Sequence, residues 1–210
     1  MKKEENHRNL NKAKWDKWSG WYDDKSWMAN YLRNTQLKLI SILNIRENIN
    51  FLDIGCGTGF AIGEVAELTN NNSQFYGIDI SSKMIEKAKN NFSGKNNCHF
   101  FEATVESIPL KADFFDIIIC VNSFHHYLNP EKALEEMFRV LKKGGRLYIL
   151  EQTTENMIGR FVDRMMKIGE PTHVKLYNSK EFKIMFERTG LKYIAMQKIK
   201  PFSNVHIGEK

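Results

Sequence analysis

Three glycines at alternate positions, Gly55, Gly57 and Gly59, follow the run Phe51-Leu52-Asp53-Ile54 and open an amphipathic stretch. Glycine lets a backbone turn sharply and lets a ligand come close to it. In open α/β sheets a loop of this kind sits where ligands bind, at the carboxyl ends of the strands. The dinucleotide fingerprint G-x-G-x-x-G requires a glycine three residues after Gly57, where this chain has Phe60, and that disfavours a nicotinamide-dependent oxidoreductase. A pyrophosphate favours a bare helix N-terminus, whereas Asp53 beside the loop suits a ligand that carries an ammonium group. A second acid, Asp79 in Gly77-Ile78-Asp79-Ile80-Ser81, lies 24 residues beyond Gly55, near the spacing of a ribose-binding carboxylate. A carboxylate can accept hydrogen bonds from both hydroxyls of a vicinal diol. Alone, an Asp after a strand reads equally well as a helix cap; with the glycine loop it implies a ligand containing adenosine.

These groups need a scaffold, and the chain supplies one. Short apolar runs at Ile49–Ile54, Gln74–Ile78, His99–Phe101, Phe115–Val121, Arg146–Leu150, Tyr193–Ile199 and Asn204–Ile207 read as strands, several of them β-branched and continuous, as strands covered on both faces should be. Helical patterns lie between them at Ala61–Thr69, Ser82–Asn91, Pro130–Leu141 and Ser179–Thr189, with Ser179 as the expected N-cap of the last. Gly144-Gly145 and Gly190 are expected to end helices in the left-handed conformation. Alternating strands and helices predict βαβ units and a parallel sheet. The last two runs are too close for a parallel crossover, so the final strand must return antiparallel. The expected fold is a Rossmann-like, seven-stranded, mostly parallel sheet with a terminal antiparallel strand and helices on both faces. No internal repeat or linker divides the chain. One domain over 1–210 is expected, with a helical extension or lid over 1–48 and the core over 49–210.

The segments Leu52-Asp53-Ile54-Gly55-Cys56-Gly57-Thr58-Gly59 and Gly77-Ile78-Asp79-Ile80-Ser81-Ser82-Lys83-Met84 resemble class I S-adenosylmethionine-dependent methyltransferases, in particular the group that includes the ubiquinone/menaquinone biosynthesis enzymes. Glu106-Ser107-Ile108-Pro109-Leu110, Phe115-Asp116-Ile117-Ile118, Asn122-Ser123-Phe124-His125-His126 and Phe138-Arg139-Val140-Leu141-Lys142-Lys143-Gly144-Gly145 match in the same order, so the resemblance covers about residues 50–150. It implies S-adenosyl-L-methionine as cofactor. The Gly55, Gly57 and Gly59 loop would wrap the methionine moiety, Asp53 orient the ammonium, Asp79 hold the ribose, and Ile80 and Met84 pack on the adenine. Thr104 and Val105 would meet the adenine edge, and Val121 closes the site at the end of the fourth strand. Thr104 stands where the family carries an acid, and a hydroxyl accepts a weaker hydrogen bond than a carboxylate. Lys143 replaces the usual proline, a local change in a loop.

The sulfonium makes the methyl group a strong electrophile, so the protein need only align the acceptor and keep water away, with a general base where a carbon or hydroxyl is methylated. Candidate bases are His125 and His126, after the fourth strand, and Tyr22, whose pairing with Asp23 resembles a Tyr-Asp pair near the cofactor in the family. His173 and Tyr177 are weaker candidates, and Glu151, after the fifth strand, could bind a polar group of the acceptor or simply end the strand. Trp15, Trp18, Trp21, Tyr22 and Trp27 crowd a polar N-terminus and suggest a lid over the cofactor. Met157, Met165, Met166 and Met185 read as core, with the wall of a partly hydrophobic acceptor pocket as the alternative.

The chain has 210 residues, 42% apolar, which suffices for a full core. The formal charge of +6 is spread among acids, without an arginine-rich run, which favours a solvated basic surface over a nucleic-acid footprint. Cys56, Cys98 and Cys120 lack metal spacing and fit a reducing compartment, so no metal is expected. No secretory signal is expected, and the run Phe114–Val121 is too short to span a bilayer. The expectation is a soluble, cytoplasmic enzyme that methylates a small molecule. The alternatives are an RNA or protein methyltransferase and a non-catalytic S-adenosylmethionine-binding module. An enzyme acting on base nitrogens would carry an Asp/Asn-Pro-Pro-Tyr/Phe segment where Asn122-Ser123-Phe124-His125 stands.

Overall fold

Seven short segments rich in Ile, Phe and Val pair into one sheet in a computed structural model that describes residues 2–20, 27–200 and 202–210. The strands are β1 (Asn50–Ile54), β2 (Gln74–Asp79), β3 (Cys98–Glu102), β4 (Phe115–Val121), β5 (Leu141–Gln152), β6 (Lys192–Lys200) and β7 (Ser203–Glu209), in the order β3-β2-β1-β4-β5-β7-β6. Strands β1 to β5 pair in parallel, and β7 runs antiparallel between β5 and β6. The terminal antiparallel return and the Rossmann-like class are as expected from the sequence.

The alternation of side chains along the central strands builds two cores. Leu52, Ile54, Ile118, Cys120, Leu147 and Ile149 face one way, and helices α5 (Pro130–Val140) and α7 (Ser179–Arg188) cover them with Leu134, Met137, Phe182 and Phe186. Phe51, Ile117, Ile119, Tyr148 and Leu150 face the other way, against α2 (Trp27–Ile40), α3 (Phe60–Glu67) and α4 (Ser82–Asn91) through Leu39, Ile62, Val65, Ile85 and Ala88. A sheet buried on both sides explains why the strands read as continuous apolar runs. Chain order reverses between β1 and β4, so their carboxyl ends open the crevice where ligands bind in this architecture.

Local chemistry moves some predicted boundaries. The N-cap of α7 is Asn178, not Ser179: Asn178 Oδ1 accepts from Glu181 N at 3.0 Å and Glu181 Oε2 accepts from Asn178 N at 2.9 Å. Asn at the cap with Glu three residues on is a full capping box, which outcompetes a cap one residue later. Gly190 ends α7 as predicted, at φ +87°, with Gly190 N donating to Glu187 O and Leu191 N to Phe186 O. This is the paired hydrogen bonding of a left-handed C-terminal turn. Gly144-Gly145, by contrast, do not end α5. That helix stops at Val140, and the glycines lie within β5, where Gly144 N donates to Lys210 O and Gly145 O accepts from Lys210 N.

Two helices have no counterpart in the predicted pattern of the core. One is α6 (Met157–Gly169), between β5 and α7. Met157 is 83% exposed and Met165 50% exposed, so neither is core nor part of the cavity wall described below; Met185, in α7, is core. The other is α1 (Lys2–Trp18), polar on all sides, with Asn11 its one buried residue. A helix of this kind is held by polar contacts rather than by an apolar stripe. Asp16 accepts from Ser81 Oγ at 2.5 Å, Lys87 donates to Ser19 O at 2.5 Å, and Lys12 and Lys14 pair with Glu102 and Glu170. Among the described residues, no helix is long and apolar enough to cross a membrane.

Candidate active site

The glycine loop leaves β1 at Gly55, whose φ is +76° and where a Cβ would lie 2.7 Å from Ser123 Oγ. Any other residue there would meet both an unfavourable backbone conformation and the loop after β4. Gly57 N then donates to Asp79 Oδ2 at 3.0 Å, while Ser81 N donates to Asp79 Oδ1 at 2.9 Å. Asp79 thus ties the loop after β1 to the end of β2. Burial raises its pKa to about 6 against the lowering effect of these two N–H groups, and Asp16 on α1 adds repulsion. Asp53, 4% exposed at the end of β1, is raised further, to about 8, first by burial and then by Asp79. Two desolvated carboxylates on adjacent strands form a site that a cationic ligand would relieve.

Above this loop lies a cavity with about 1270 Å³ of empty space, its mouth included. Of the residues expected to bind the cofactor, Gly55, Gly57, Asp79, Ile80, Met84, Thr104, Val105 and Val121 line it together. Asp53 and Gly59 do not. Asp53 is buried in β1, off the cavity lining. Gly59 faces inward, where an added Cβ would approach Phe92 at 2.7 Å, and so serves the packing of α3. The carboxylate missing at Thr104 has a neighbour in the same wall, Glu106, two residues further on.

The fit to an adenosyl amino acid shows also in what the cavity leaves unmade. Asn122 Nδ2, a donor, and Gln36 Oε1, an acceptor, are buried without hydrogen-bond partners, and both residues line the cavity. A buried polar group without a partner costs about 1–3 kcal/mol, so it persists where a ligand recovers it. The carboxylate and ammonium of an amino-acid moiety offer the two complementary groups. Asn122→Leu is accordingly expected to leave the melting temperature of the ligand-free protein unchanged or higher, while weakening S-adenosylhomocysteine binding by about tenfold. Thermal melts and isothermal titration read the two effects separately. A variant that lost stability but kept its affinity would show that the amide supports the loop.

The histidine pair divides. His126 lines the cavity and donates from Nδ1 to Thr172 O at 2.8 Å, which leaves the lone pair on Nε2. Burial, and next to it His125, lower its pKa to about 2. It is a neutral imidazole, with Nε2 3.7 Å from Glu170 Oε1. His125 does not line the cavity. Its Nδ1 lies 2.9 Å from Glu151 Oε2, and Glu151 Oε1 accepts from Phe124 N at 2.7 Å. Glu151 lies within β5, 2% exposed, and pins the loop after β4 rather than facing a ligand. His173 Nε2 sits 2.8 Å from Asp163, and Tyr177 packs against Phe124 and Phe182; neither lines the cavity. Tyr22, with Trp21 and Asp23, lies outside the described residues.

The roof is α1, through Glu4, His7, Arg8, Asn11 and Trp15. Trp15 Nε1 donates to Asn11 Oδ1 at 3.1 Å and its ring meets His126 edge-on at 5.8 Å, while His7 Nε2 donates to His126 O at 3.0 Å. Trp18 is 42% exposed. Tyr127, behind Ser123 with a 2.8 Å contact between hydroxyls, completes the wall. Tyr127, Gln36 and Arg8 carried no sequence signal, since only the folded chain brings them to the glycine loop.

Residues 45–190 match the methyltransferase-domain family. The chain belongs to that family. Its domain is of the class I methyltransferase type, and S-adenosylmethionine is the cofactor that this type implies. It is 30% identical over 164 residues to YcgJ, an uncharacterized methyltransferase of Bacillus subtilis, covering 76% of this chain and 64% of that one. It is 33% identical over 125 residues to the ubiquinone/menaquinone biosynthesis C-methyltransferase UbiE of Campylobacter jejuni, covering 58% of this chain and 52% of that one. The chain thus spans between about half and two thirds of the length of these curated relatives. The crystal structure of YcgJ superimposes with a TM-score of 0.70 at 29% identity, over 78% of this chain and 70% of that one. An S-adenosylmethionine-dependent methyltransferase from Aquifex aeolicus has the same fold, with a TM-score of 0.73 at 20% identity over 92% of this methyltransferase and 97% of that chain. The resemblance read from the glycine loop and Asp79 is borne out at the level of family, fold and cofactor.

Proposed function

We propose that this methyltransferase acts on a small, partly hydrophobic organic acceptor, held under α1 beside His126. The observation that carries this reading is the shape of the site: one cavity whose floor is the glycine loop and Asp79, and whose roof is a polar helix with Trp15 turned against His126. The roof leaves room for a small molecule and excludes water around it. The relatives named as quinone-biosynthesis C-methyltransferases support an acceptor of that size and character.

In this reading the residues expected from the sequence take defined parts, together with Asn122, Gln36 and Glu106, which only the fold brings to the cavity. Gly55, Gly57, Asn122 and Gln36 hold the amino-acid end, Asp53 supplies the countercharge to its ammonium, and Asp79 holds the ribose. Ile80, Met84, Thr104, Val105 and Glu106 border the adenine, and Val121 lies beneath. Bound there, S-adenosylmethionine supplies an electrophilic methyl group. The chain aligns the acceptor and shields it, and His126 accepts a hydrogen bond from an acceptor hydroxyl or acidic carbon. As a neutral imidazole it orients the acceptor over the whole neutral pH range. The segment 1–48 acts as the lid of a single domain, and the enzyme works in the cytoplasm without metal.

The test is transfer of labelled methyl from S-adenosylmethionine to fractionated metabolite pools, with RNA and protein pools beside them. Incorporation into a small apolar fraction is expected. His126→Ala should lower kcat by about 10–100-fold, in the range of a lost positioning group. Label entering only RNA or protein would overturn the acceptor class.

A further inference from the structure

Helix α6 lies the wrong way round for a helix that packs on a core. Its small and acidic side faces the protein. A Cβ at Gly159 would meet Thr153 O at 2.0 Å, so the helix is pressed against that loop. Asp163 turns inward, accepting from Leu176 N at 2.8 Å and lying 2.8 Å from His173 Nε2. The outward side is apolar: Met157, Ile158, Phe161, Met165 and Ile168 are 83%, 57%, 63%, 50% and 77% exposed. At 100° per residue these five fall within about one third of the helix circumference, so they form one stripe.

One border of this stripe is basic. Arg160 and Arg164 lie along that side of the helix, and with Lys167 and Lys175 they line a shallow groove beside it. Lys167 and Lys175 are paired there, with Asp163 at 2.7 Å and Glu181 at 2.5 Å, so the charge of the border rests on the two arginines. We propose that the exposed face of α6 docks on a bilayer that contains anionic phospholipid, with its apolar stripe among the acyl chains and its arginines at the headgroups. An apolar stripe edged with cations is the arrangement of a helix that lies in a membrane interface. Basic residues at such a border add attraction to anionic lipid. Self-association through the same face would set Arg160 and Arg164 of two copies against one another around a twofold axis, which charge disfavours. Whatever the acceptor, this face lies outside the cavity, and α6 is too short to span the bilayer.

Co-sedimentation of the full chain with vesicles tests this surface. Binding is expected on mixed phosphatidylglycerol and phosphatidylcholine vesicles, at least about tenfold weaker on phosphatidylcholine alone, and weaker at high salt. Phe161→Asp and Ile168→Asp should each reduce binding at least about tenfold, and Arg164→Gln by a few fold, with melting temperature and S-adenosylhomocysteine affinity unchanged. The unchanged cofactor affinity separates loss of docking from any failure at the active site. Absence of vesicle binding, or equal binding by Phe161→Asp, would overturn the proposal. So would sedimentation velocity showing a dimer that Phe161→Asp dissociates, since the stripe would then belong to a second copy.

Discussion

Asp79→Ala is expected to weaken S-adenosylmethionine binding by roughly 10–100-fold, the loss that follows when hydrogen bonds to a charged group disappear. Asp79 has two tasks, and the substitution removes both. It accepts from Gly57 N and Ser81 N, which fixes the glycine loop against the end of β2, and it lines the cavity. Asp79→Asn separates these tasks, because an amide keeps the shape and one accepting oxygen but no charge. An intermediate loss in Asp79→Asn, with a preserved near-ultraviolet spectrum, would assign the remaining effect to the ligand. Equal affinity for wild type and Asp79→Ala would remove this residue from the site.

Asp53→Asn is expected to move stability and binding in opposite directions. The folded pKa of Asp53 is raised to about 8, above an unfolded value near 4. Below pH 4 both states are protonated and Asp53 costs nothing. Between pH 4 and pH 8 the unfolded chain is ionised while the folded one holds its proton, so stability falls as pH rises, and the cost is complete above pH 8. A neutral amide removes this slope. The ligand-free variant should gain about 2 kcal/mol or more at pH 8 over wild type, with little difference at pH 4. Its affinity for S-adenosylmethionine should fall at least about tenfold, because the ligand's ammonium loses its countercharge. Binding by wild type at pH 7 should also release a proton, seen as a dependence of titration heat on buffer ionisation, and Asp53→Asn should abolish that release. A variant no more stable at pH 8 than wild type would show that Asp53 is not held against its own charge.

How far such a site can be read from sequence depends on whether neighbours in space are neighbours in the chain. The glycine loop and Asp79 lie at strand ends, and strands covered on both faces announce themselves as runs such as Phe115–Val121, so their place could be read directly. Ile80 and Met84 after β2, and Thr104 and Val105 after β3, followed from the resemblance and line the same cavity. Asp53 and Gly59 were placed in the right loop but on the wrong side of it, because spacing does not tell which way a side chain turns after a sharp bend. His125 and His126 are adjacent in sequence yet split by the 3-10 turn at Phe124–His126, which sends one to Glu151 and the other to the cavity.

The elements outside the predicted core have reasons of the same kind. Helix α1 has no apolar stripe and is held by Asp16, Lys12 and Lys14 on partners far along the chain. Helix α6 presents its apolar residues to solvent, so a reading that puts hydrophobic residues inside assigns Met157 and Met165 to the core. Gln36 and Asn122, the unpaired polar groups of the cavity among the described residues, come from α2 and from the loop after β4. No periodicity in the sequence would set them together.

Crystals soaked with S-adenosylhomocysteine put the central claim to its most direct trial. The ligand should lie between the Gly55–Gly57 backbone and α1, with both ribose hydroxyls on Asp79 and its amino-acid end within hydrogen-bonding distance of Asn122 and Gln36. Density for the ligand anywhere else, with this cavity filled only by water, would contradict the account.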